Sequence, residues 1–325
     1  MSPLAKLITT TSLLLGTTIT ITSNHWVMAW TGLEINTLAI IPLISKSHHP
    51  RAIEATTKYF LVQAAASTLV LFSSTTNAWA TGQWDITQLT HPSSCLLLTT
   101  AIAIKLGLTP FHFWFPEVLQ GSSLITALLL STLMKLPPTT ILLLTSHSLN
   151  PTLLTTMSIM SIGLGGWMGL NQTQTRKIMA SSSISHLGWM TTIILYNPKL
   201  TLLAFYIYTM TSWTKTPMLT ATLMLTLLSL AGLPPLTGFL PKWLIVQELT
   251  KQEMTVTATI ISMLSLLGLF FYLRLAYCST ITLPPSPSNK MKQWSTKNPT
   301  NTLIPTLTSL STSLLPLSPM ILTIT

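Results

Sequence analysis

The stretch SCLLLTTAIAIKLGLTPFHFWFP, residues 94–116, is the most informative segment of the chain. It is long and apolar enough to cross a bilayer, because a spanning helix needs about 20 predominantly apolar residues. It nevertheless carries Lys105 near its middle. Gly107 and Pro110 follow that lysine and predict a helix break, since glycine weakens a helix and proline removes a backbone donor. A cation beside a helix break at this depth is costly and indicates a functional site.

The composition around this stretch is that of a membrane protein. Of 325 residues, 48% are hydrophobic and only 7% are charged, whereas soluble domains carry about 25% charged residues. The net charge of +10 comes from 16 scattered lysines and arginines. These do not form the basic cluster with interleaved aromatics that nucleic-acid binding requires. We therefore interpret most of them as loop charges that set the membrane topology and expect no nucleic-acid partner.

The cysteines and the N-terminus add two expectations. Cys95 and Cys278 have no neighbours at ligand spacing, so we expect no metal site or iron–sulfur cluster in this chain. Met1 leads almost directly into a membrane span. We therefore expect no cleavable presequence, as in a protein made in the compartment where it is inserted.

The hydropathy pattern predicts an all-α polytopic membrane protein of about eleven transmembrane helices. We number these predicted spans 1 to 11: 3–22, 25–45, 56–77, 94–115, 122–144, 149–170, 175–195, a short span from 199, 216–249, 255–277 and 302–322. Loops after even-numbered spans hold most of the loop cations, and loops after odd-numbered spans hold only Lys199 and Lys251. This asymmetry predicts that the N-terminus lies on the positive, inner side.

Two of the predicted spans are interrupted by Gly and Pro. They are span 4 and span 9, where residues 232–238 read GLPPLTG. Because the two breaks lie five spans apart, and such pairs point to an ion pathway in transporter folds, inverted five-helix repeats are predicted. Within one membrane domain, 1–325, we expect a first repeat over 1–145, an inverted second repeat over 146–277, and a loop with an appended helix over 278–325.

Span 8 is too short. Only 13 residues run from Lys199 to Thr211, and about 20 are needed to cross a bilayer. Either the helix is unusually tilted or residues are missing. The second alternative predicts an interrupted backbone between Thr211 and Ser212.

Four ionisable residues in apolar surroundings are the strongest site candidates: Glu34, Lys105, Lys135 and Lys242. The alternative is that their side chains reach the membrane interface. It is weak for Lys105 and Lys135, which lie deep in their spans, and stronger for Lys242, where Pro241 restarts the helix. His112 and His186 are possible proton relays, since imidazole titrates near neutral pH, although a structural role is about as frequent.

Several motifs together resemble a known family. The segments AGLPPLTGFLPKW at 231–243 and KLGLTPFHFW at 105–114 are similar to the broken helices of antiporter-like membrane subunits. Two further motifs support a more specific match within this group of subunits. They are Gly32-Leu-Glu34 with Asn36, and GLNQT at 169–173 followed by Arg176. The chain therefore resembles the antiporter-like membrane-arm subunits of mitochondrial NADH:ubiquinone oxidoreductase, respiratory complex I, over nearly its whole length.

This resemblance implies a proton-translocating subunit of the mitochondrial inner membrane, with its positive side facing the matrix. In that family the span-2 glutamate pairs with the span-4 lysine, and the span-5 lysine connects to the span-9 lysine; here these are Glu34, Lys105, Lys135 and Lys242. The resemblance implies that this chain holds no cofactor. It also implies that NADH, FMN, iron–sulfur clusters and ubiquinone bind in other parts of the complex. Its partners would be neighbouring antiporter-like and small membrane subunits and lipids. It also implies about one further span's worth of residues at span 8.

Two other functions stay open from the residues. A free-standing cation/proton antiporter would also use buried lysines and inverted repeats, but should show a carboxylate-rich site, and Glu34 is the one acidic residue deep in a span. A purely structural membrane subunit would tolerate apolar residues in place of Lys105 and Lys135.

Overall fold

The computed structural model describes residues 3–47, 49–213, 220–234 and 236–282. The chain divides into two units, Met1–Pro198 and Lys199–Thr325, which are considered separately. Predicted span 11 lies outside the described residues.

The first unit is built from nine α-helices in the order expected from the hydropathy pattern. They are α1 (Pro3–Thr22), α2 (Trp26–Ile44), α3 (Pro50–Thr81), α4 (Pro92–Leu106), α5 (Trp114–Gly121), α6 (Leu124–Ser131), α7 (Leu136–Leu144), α8 (Pro151–Leu170) and α9 (Thr175–Ile193). The second unit has α10 (Pro198–Trp213), α11 (Thr220–Ala231), α12 (Phe239–Lys251) and α13 (Thr255–Thr282). Ten of the predicted spans therefore correspond to helices among the described residues, and spans 4, 5 and 9 are each divided into two.

Five segments of the described residues are long and apolar enough to cross a membrane by length and composition alone. They are Leu4–Thr22, Trp26–Ile44, Leu124–Leu144, Pro151–Leu170 and Thr255–Cys278. Pro92–Leu106 is a shorter apolar helix, as expected for the first half of a broken span.

Small residues let neighbouring helices of the first unit approach closely. Gly16 of α1 faces Gly32 and Asn36 of α2, and a Cβ on Gly16 would lie 2.5 Å from Asn36 Oδ1 and 3.0 Å from Gly32 O. The same holds between α8 and α9, where a Cβ on Gly165 would lie 2.9 Å from Ser185 N. Such close packing replaces the hydrophobic driving force that lipid-exposed helices lack.

Hydroxyl groups are accommodated by the helices that carry them. Thr20 donates to the Thr17 carbonyl at 2.8 Å, and the fully buried Ser73 donates to the Val70 carbonyl at 2.7 Å. A hydroxyl bonded to its own helix is satisfied without water. This bonding explains how the chain can combine many serines and threonines with membrane-spanning helices.

The core of the first unit contains the short helix α5. Phe115, Val118 and Leu119 are each at most 1% exposed and pack with buried residues of α1, α2, α3, α6 and α9. The second half of broken span 4 is thus surrounded by protein.

Helix α10 corrects one expectation about span 8. It continues without interruption through Thr211 and Ser212 to Trp213, and Ser212 donates to the Thr209 carbonyl at 2.8 Å. The predicted backbone interruption between Thr211 and Ser212 is therefore wrong. Helix α10 is described over 16 residues, and residues 214–219, which follow it, lie outside the described residues.

Candidate functional site: a lysine cavity beside two helix breaks

The predicted break in span 4 is confirmed. Helix α4 ends at Leu106, and Gly107 takes the left-handed conformation with φ of 75°. Its N–H donates to the Ala103 carbonyl at 2.9 Å, and the next helix begins only at Trp114. Glycine suits this position because a side chain is strained at positive φ.

Side chains donate hydrogen bonds to carbonyl groups in the last turn of α4. Trp114 Nε1 donates to the Ile104 carbonyl at 3.1 Å. Gln63 Nε2, from the buried face of α3, donates to the Lys105 carbonyl at 3.4 Å. These two donors stabilise a helix end inside the protein, where an unpaired carbonyl would be costly.

Lys105 is buried at this helix end. It is 6% exposed, and Nζ has no hydrogen-bond partner among the described residues. The Glu34 carboxylate interacts electrostatically with it, although the pair is farther apart than the 4.0 Å of a direct ion pair. Glu34 Oε2 accepts a hydrogen bond from Thr37 at 3.1 Å. No direct contact joins the two side chains among the described residues, and the pairing of Glu34 with Lys105 stays a prediction.

Lys135 lies at a second break, which the sequence analysis did not predict. Span 5 was expected to be continuous, but a 3-10 turn at Leu133–Lys135 separates α6 from α7. Pro137 and Pro138 have no backbone N–H, so the carbonyl groups one turn earlier lack α-helical partners. Lys135 is 3% exposed, and its Nζ lies 4.3 Å from the centroid of the Phe115 ring.

The two lysines line one cavity. Its walls come from α2, α3, α4, α5 and the region around the 3-10 turn, and its lining includes Asn36, Thr37, Tyr59, Gln63, Lys105, Trp114, Phe115 and Lys135. The cavity has about 20 Å³ available to water, and about 10–15 Å³ is enough for one molecule. The two helix breaks thus meet at a small space lined by both polar and apolar side chains.

Sequence reasoning missed the other cavity residues. Gln63 and Tyr59, both at most 5% exposed, lie on span 3, which holds none of the four candidate ionisable residues. A glutamine within an apolar span was the available signal, because buried polar side chains in membrane helices usually have a specific partner. Phe115 gave no signal, since an aromatic residue in a membrane span is ordinary.

Lys242 occupies the other broken span, in the second unit. Helix α11 ends at Ala231, and Gly232 follows with φ of 84°. Lys242 reaches back from α12 and donates to the Ala231 carbonyl at 2.8 Å. An ammonium at a helix C-terminus is favoured by the partial negative charge there. The break in span 9 therefore places Lys242 at a helix end, as the break in span 4 does for Lys105.

The two candidate histidines lie outside the lysine cavity. His112 is 2% exposed, and Nε2 lies 3.1 Å from Met168 Sδ of α8. His186 is a half-buried residue of α9. Neither belongs to the cavity lining, and their relay role stays a prediction.

Cations hold both ends of α5. Lys58 Nζ of α3 lies 2.6 Å from Glu117 of α5 and 2.6 Å from Glu54 on its own helix. Lys58 also lowers the pKa of the exposed Glu54 carboxyl through a hydrogen bond and its charge. At the other end, Arg176 of α9 donates to the carbonyl groups of Gln120 and Ser122. The helix that carries Phe115 is thus attached to α3 and α9.

Comparison with known proteins gives two family matches and full-length relatives. The family described as NADH:quinone oxidoreductase/Mrp antiporter, TM, matches residues 23–214 and 204–268, and the family NADH dehydrogenase subunit 2 C-terminus matches residues 269–322. NADH-ubiquinone oxidoreductase chain 2 of Struthio camelus is 75% identical over 343 aligned positions, covering 99% of each chain. The chain belongs to the NADH-ubiquinone oxidoreductase chain 2 family.

The chain 2 relatives are longer than this chain. The alignment to the Struthio camelus protein has 343 positions, whereas this chain has 325 residues, so at least 18 positions have no counterpart here. That is close to one membrane span. Relatives therefore carry the additional residues that the resemblance implied, and their placement at span 8 stays a prediction.

Two solved structures of other membrane complexes contain chains with the same fold as this protein. A chain of respiratory complex I from Thermus thermophilus, solved with bound aureothin, superposes with a TM-score of 0.86 at 22% identity, covering 99% of this chain and 80% of that one. A chain of the Mrp complex from Dietzia sp. gives 0.77 at 16% identity, covering 85% and 60%. The antiporter-like all-α fold predicted from the sequence is confirmed.

Proposed function

We propose that this chain, a membrane subunit of NADH-ubiquinone oxidoreductase by family, moves protons across the mitochondrial inner membrane through Glu34, Lys105, Lys135 and Lys242. The observation that carries the proposal is that Lys105 and Lys135 line one water-sized cavity. Both amino groups lack hydrogen-bond partners among the described residues. A structural lysine would normally be paired, because an unpaired buried cation is expensive.

Glu34 controls how firmly Lys105 holds its proton. Lysine in water keeps its proton at neutral pH, so release needs a change in the surroundings. At a separation of about 7 Å and an effective dielectric constant of about 20, a carboxylate stabilises an ammonium by roughly 2.4 kcal/mol. Neutralising Glu34 or moving it away would remove this stabilisation and favour release of the proton.

Lys135 is the receiving group for that proton. A water molecule in the shared cavity can bridge two nitrogen atoms that do not contact each other. Lys242, whose ammonium already binds the end of α11, is the next acceptor in the proposed sequence.

The setting of the proposal follows from the family. The electrons move from NADH to ubiquinone through FMN and iron–sulfur clusters in other subunits, and this chain supplies the proton route. Its partners are neighbouring antiporter-like and small membrane subunits and lipids. The loop charges support an N-terminus on the matrix side.

The test is Lys105→Met in the assembled complex, which keeps the side-chain length and removes the charge. We expect proton pumping coupled to quinone reduction to fall sharply while the complex still assembles. The matched control is Lys251→Met, the same change at a surface lysine that lies 3.4 Å from Glu248, and it should pump normally.

The outcomes also separate the other functions. Normal pumping in a fully assembled Lys105→Met complex would refute the proposed route and favour a purely structural subunit. A free-standing antiporter would exchange cations for protons when purified alone in lipid vesicles, without NADH or quinone.

A further inference from the structure

The Lys135 ammonium lies over the aromatic ring of Phe115. The centroid of its ring lies 4.3 Å from Nζ, within the roughly 6 Å over which a cation and an aromatic face attract each other. Phe115 is 1% exposed, and Lys135 is 3% exposed. Such an interaction is strongest where water is excluded.

The ring distinguishes Lys135 from Lys105. Both amino groups lack hydrogen-bond partners among the described residues, and both line the same cavity. Lys105 has the Glu34 carboxylate in electrostatic range, whereas Lys135 has the π-face of Phe115. The two lysines are thus stabilised in their charged forms by different partners, from α2 and α5 respectively.

The position of the ring depends on the break in span 4. Phe115 lies in the first turn of α5, and Trp114 beside it contacts Tyr59 of α3, with ring centroids 5.9 Å apart. Glu117 and the C-terminal carbonyls of α5 are held by Lys58 and Arg176. A continuous helix in place of the break would not direct this short helix toward Lys135.

We propose that Phe115 is a positioning residue that holds the protonated Lys135 side chain in the cavity and so makes it an effective proton acceptor. This inference rests on the proposed function and names a residue that acts through Lys135. A desolvated cation–π contact corresponds to about a tenfold change in proton affinity. Without the ring, Lys135 should accept protons about tenfold more slowly.

The experiment compares Phe115→Leu with Phe115→Tyr in the assembled complex, with pumping rate measured in inner-membrane vesicles. Leucine lacks a π-face, so we expect the rate to fall about tenfold. Tyrosine keeps the face, so we expect a rate within about twofold of the unchanged protein. A packing role predicts the opposite order, because tyrosine overfills a tightly packed site while leucine leaves a modest void. Equal rates in the two variants, or a slower tyrosine variant, would overturn the assignment.

Two further variants keep the result interpretable. Phe271→Leu makes the same change at another fully buried phenylalanine, on α13, and should pump normally; a comparable fall there would overturn the role of the Phe115 ring. If Phe115→Leu does not assemble, Phe115→Met replaces it, since methionine also lacks a ring. Normal pumping in Phe115→Met would refute the proposal, and a tenfold fall would support it.

Lys135→Met separates failure of this inference from failure of the proposed function. If Lys135→Met abolishes pumping while Phe115→Leu pumps normally, only the role of Phe115 is refuted. If Lys135→Met pumps normally, the proton route itself is wrong, and the role of Phe115 in it is overturned as well.

Discussion

Replacing Gly232 by alanine should disturb both the second helix break and Lys242. Gly232 has φ of 84°, a conformation that costs a residue with a Cβ about 1–2 kcal/mol. An added Cβ would also lie 2.9 Å from Lys242 Nζ and 3.0 Å from Lys242 Cδ. The lysine side chain is flexible enough to move away, but it would then leave the Ala231 carbonyl.

The size of the effect follows from these two contributions. The bond from Lys242 Nζ to the Ala231 carbonyl is 2.8 Å long, and a hydrogen bond with a charged partner contributes about 1.5–3 kcal/mol. Gly232→Ala should therefore destabilise this region by about 2.5–5 kcal/mol in all. Since the displaced group is Lys242, proton pumping should fall as well.

Gly82→Ala is the matched control for this prediction. Gly82 has φ of 73°, but a Cβ there would meet nothing within 4 Å. It should lose only about 1–2 kcal/mol from backbone strain and should pump normally. The assays are heat inactivation of the assembled complex and pumping in inner-membrane vesicles. Equal heat inactivation and equal pumping in the two variants would refute the view that Gly232 makes room for Lys242.

Two other contacts yield predictions. Gln63→Leu removes a hydrogen-bond donor from the Lys105 carbonyl, so it should lower the stability by about 1–3 kcal/mol and slow pumping. The control is Gln247→Leu at an exposed glutamine, which should change neither. Unchanged heat inactivation and pumping in Gln63→Leu would show that this contact is unimportant. Arg176→Met leaves the C-terminal carbonyls of α5 without their donor, and a loss of about 1.5–3 kcal/mol is expected in heat inactivation. Lys177→Met is the control for that change, and equal stability of the two variants would contradict the proposed attachment of α5 to α9.

The sequence by itself determined the class of fold, the two breaks and the candidate ions. Hydropathy and the 7% of charged residues identify a membrane protein. Helices that lie in lipid need long apolar segments and satisfy their backbone hydrogen bonds internally, so few charged residues are required. Gly107 and Gly232 marked the breaks because glycine readily adopts the positive φ at which both helices end. Lys105 and Lys135 were conspicuous because a cation in an apolar span is rare.

Only the tertiary structure decided which groups meet. The break at Leu133–Lys135 arises where two prolines deny hydrogen bonds to the preceding turn, and the sequence showed those prolines without showing that the helix would tighten there. Phe115, Gln63 and Tyr59 became site residues because α3 and α5 pack against the two lysines. His112 left the site because the turn after Gly107 directs it toward α8. These contacts join residues that are far apart in the sequence. The local sequence pattern predicts where a helix begins and ends, but it does not predict which distant helix packs against a given side chain.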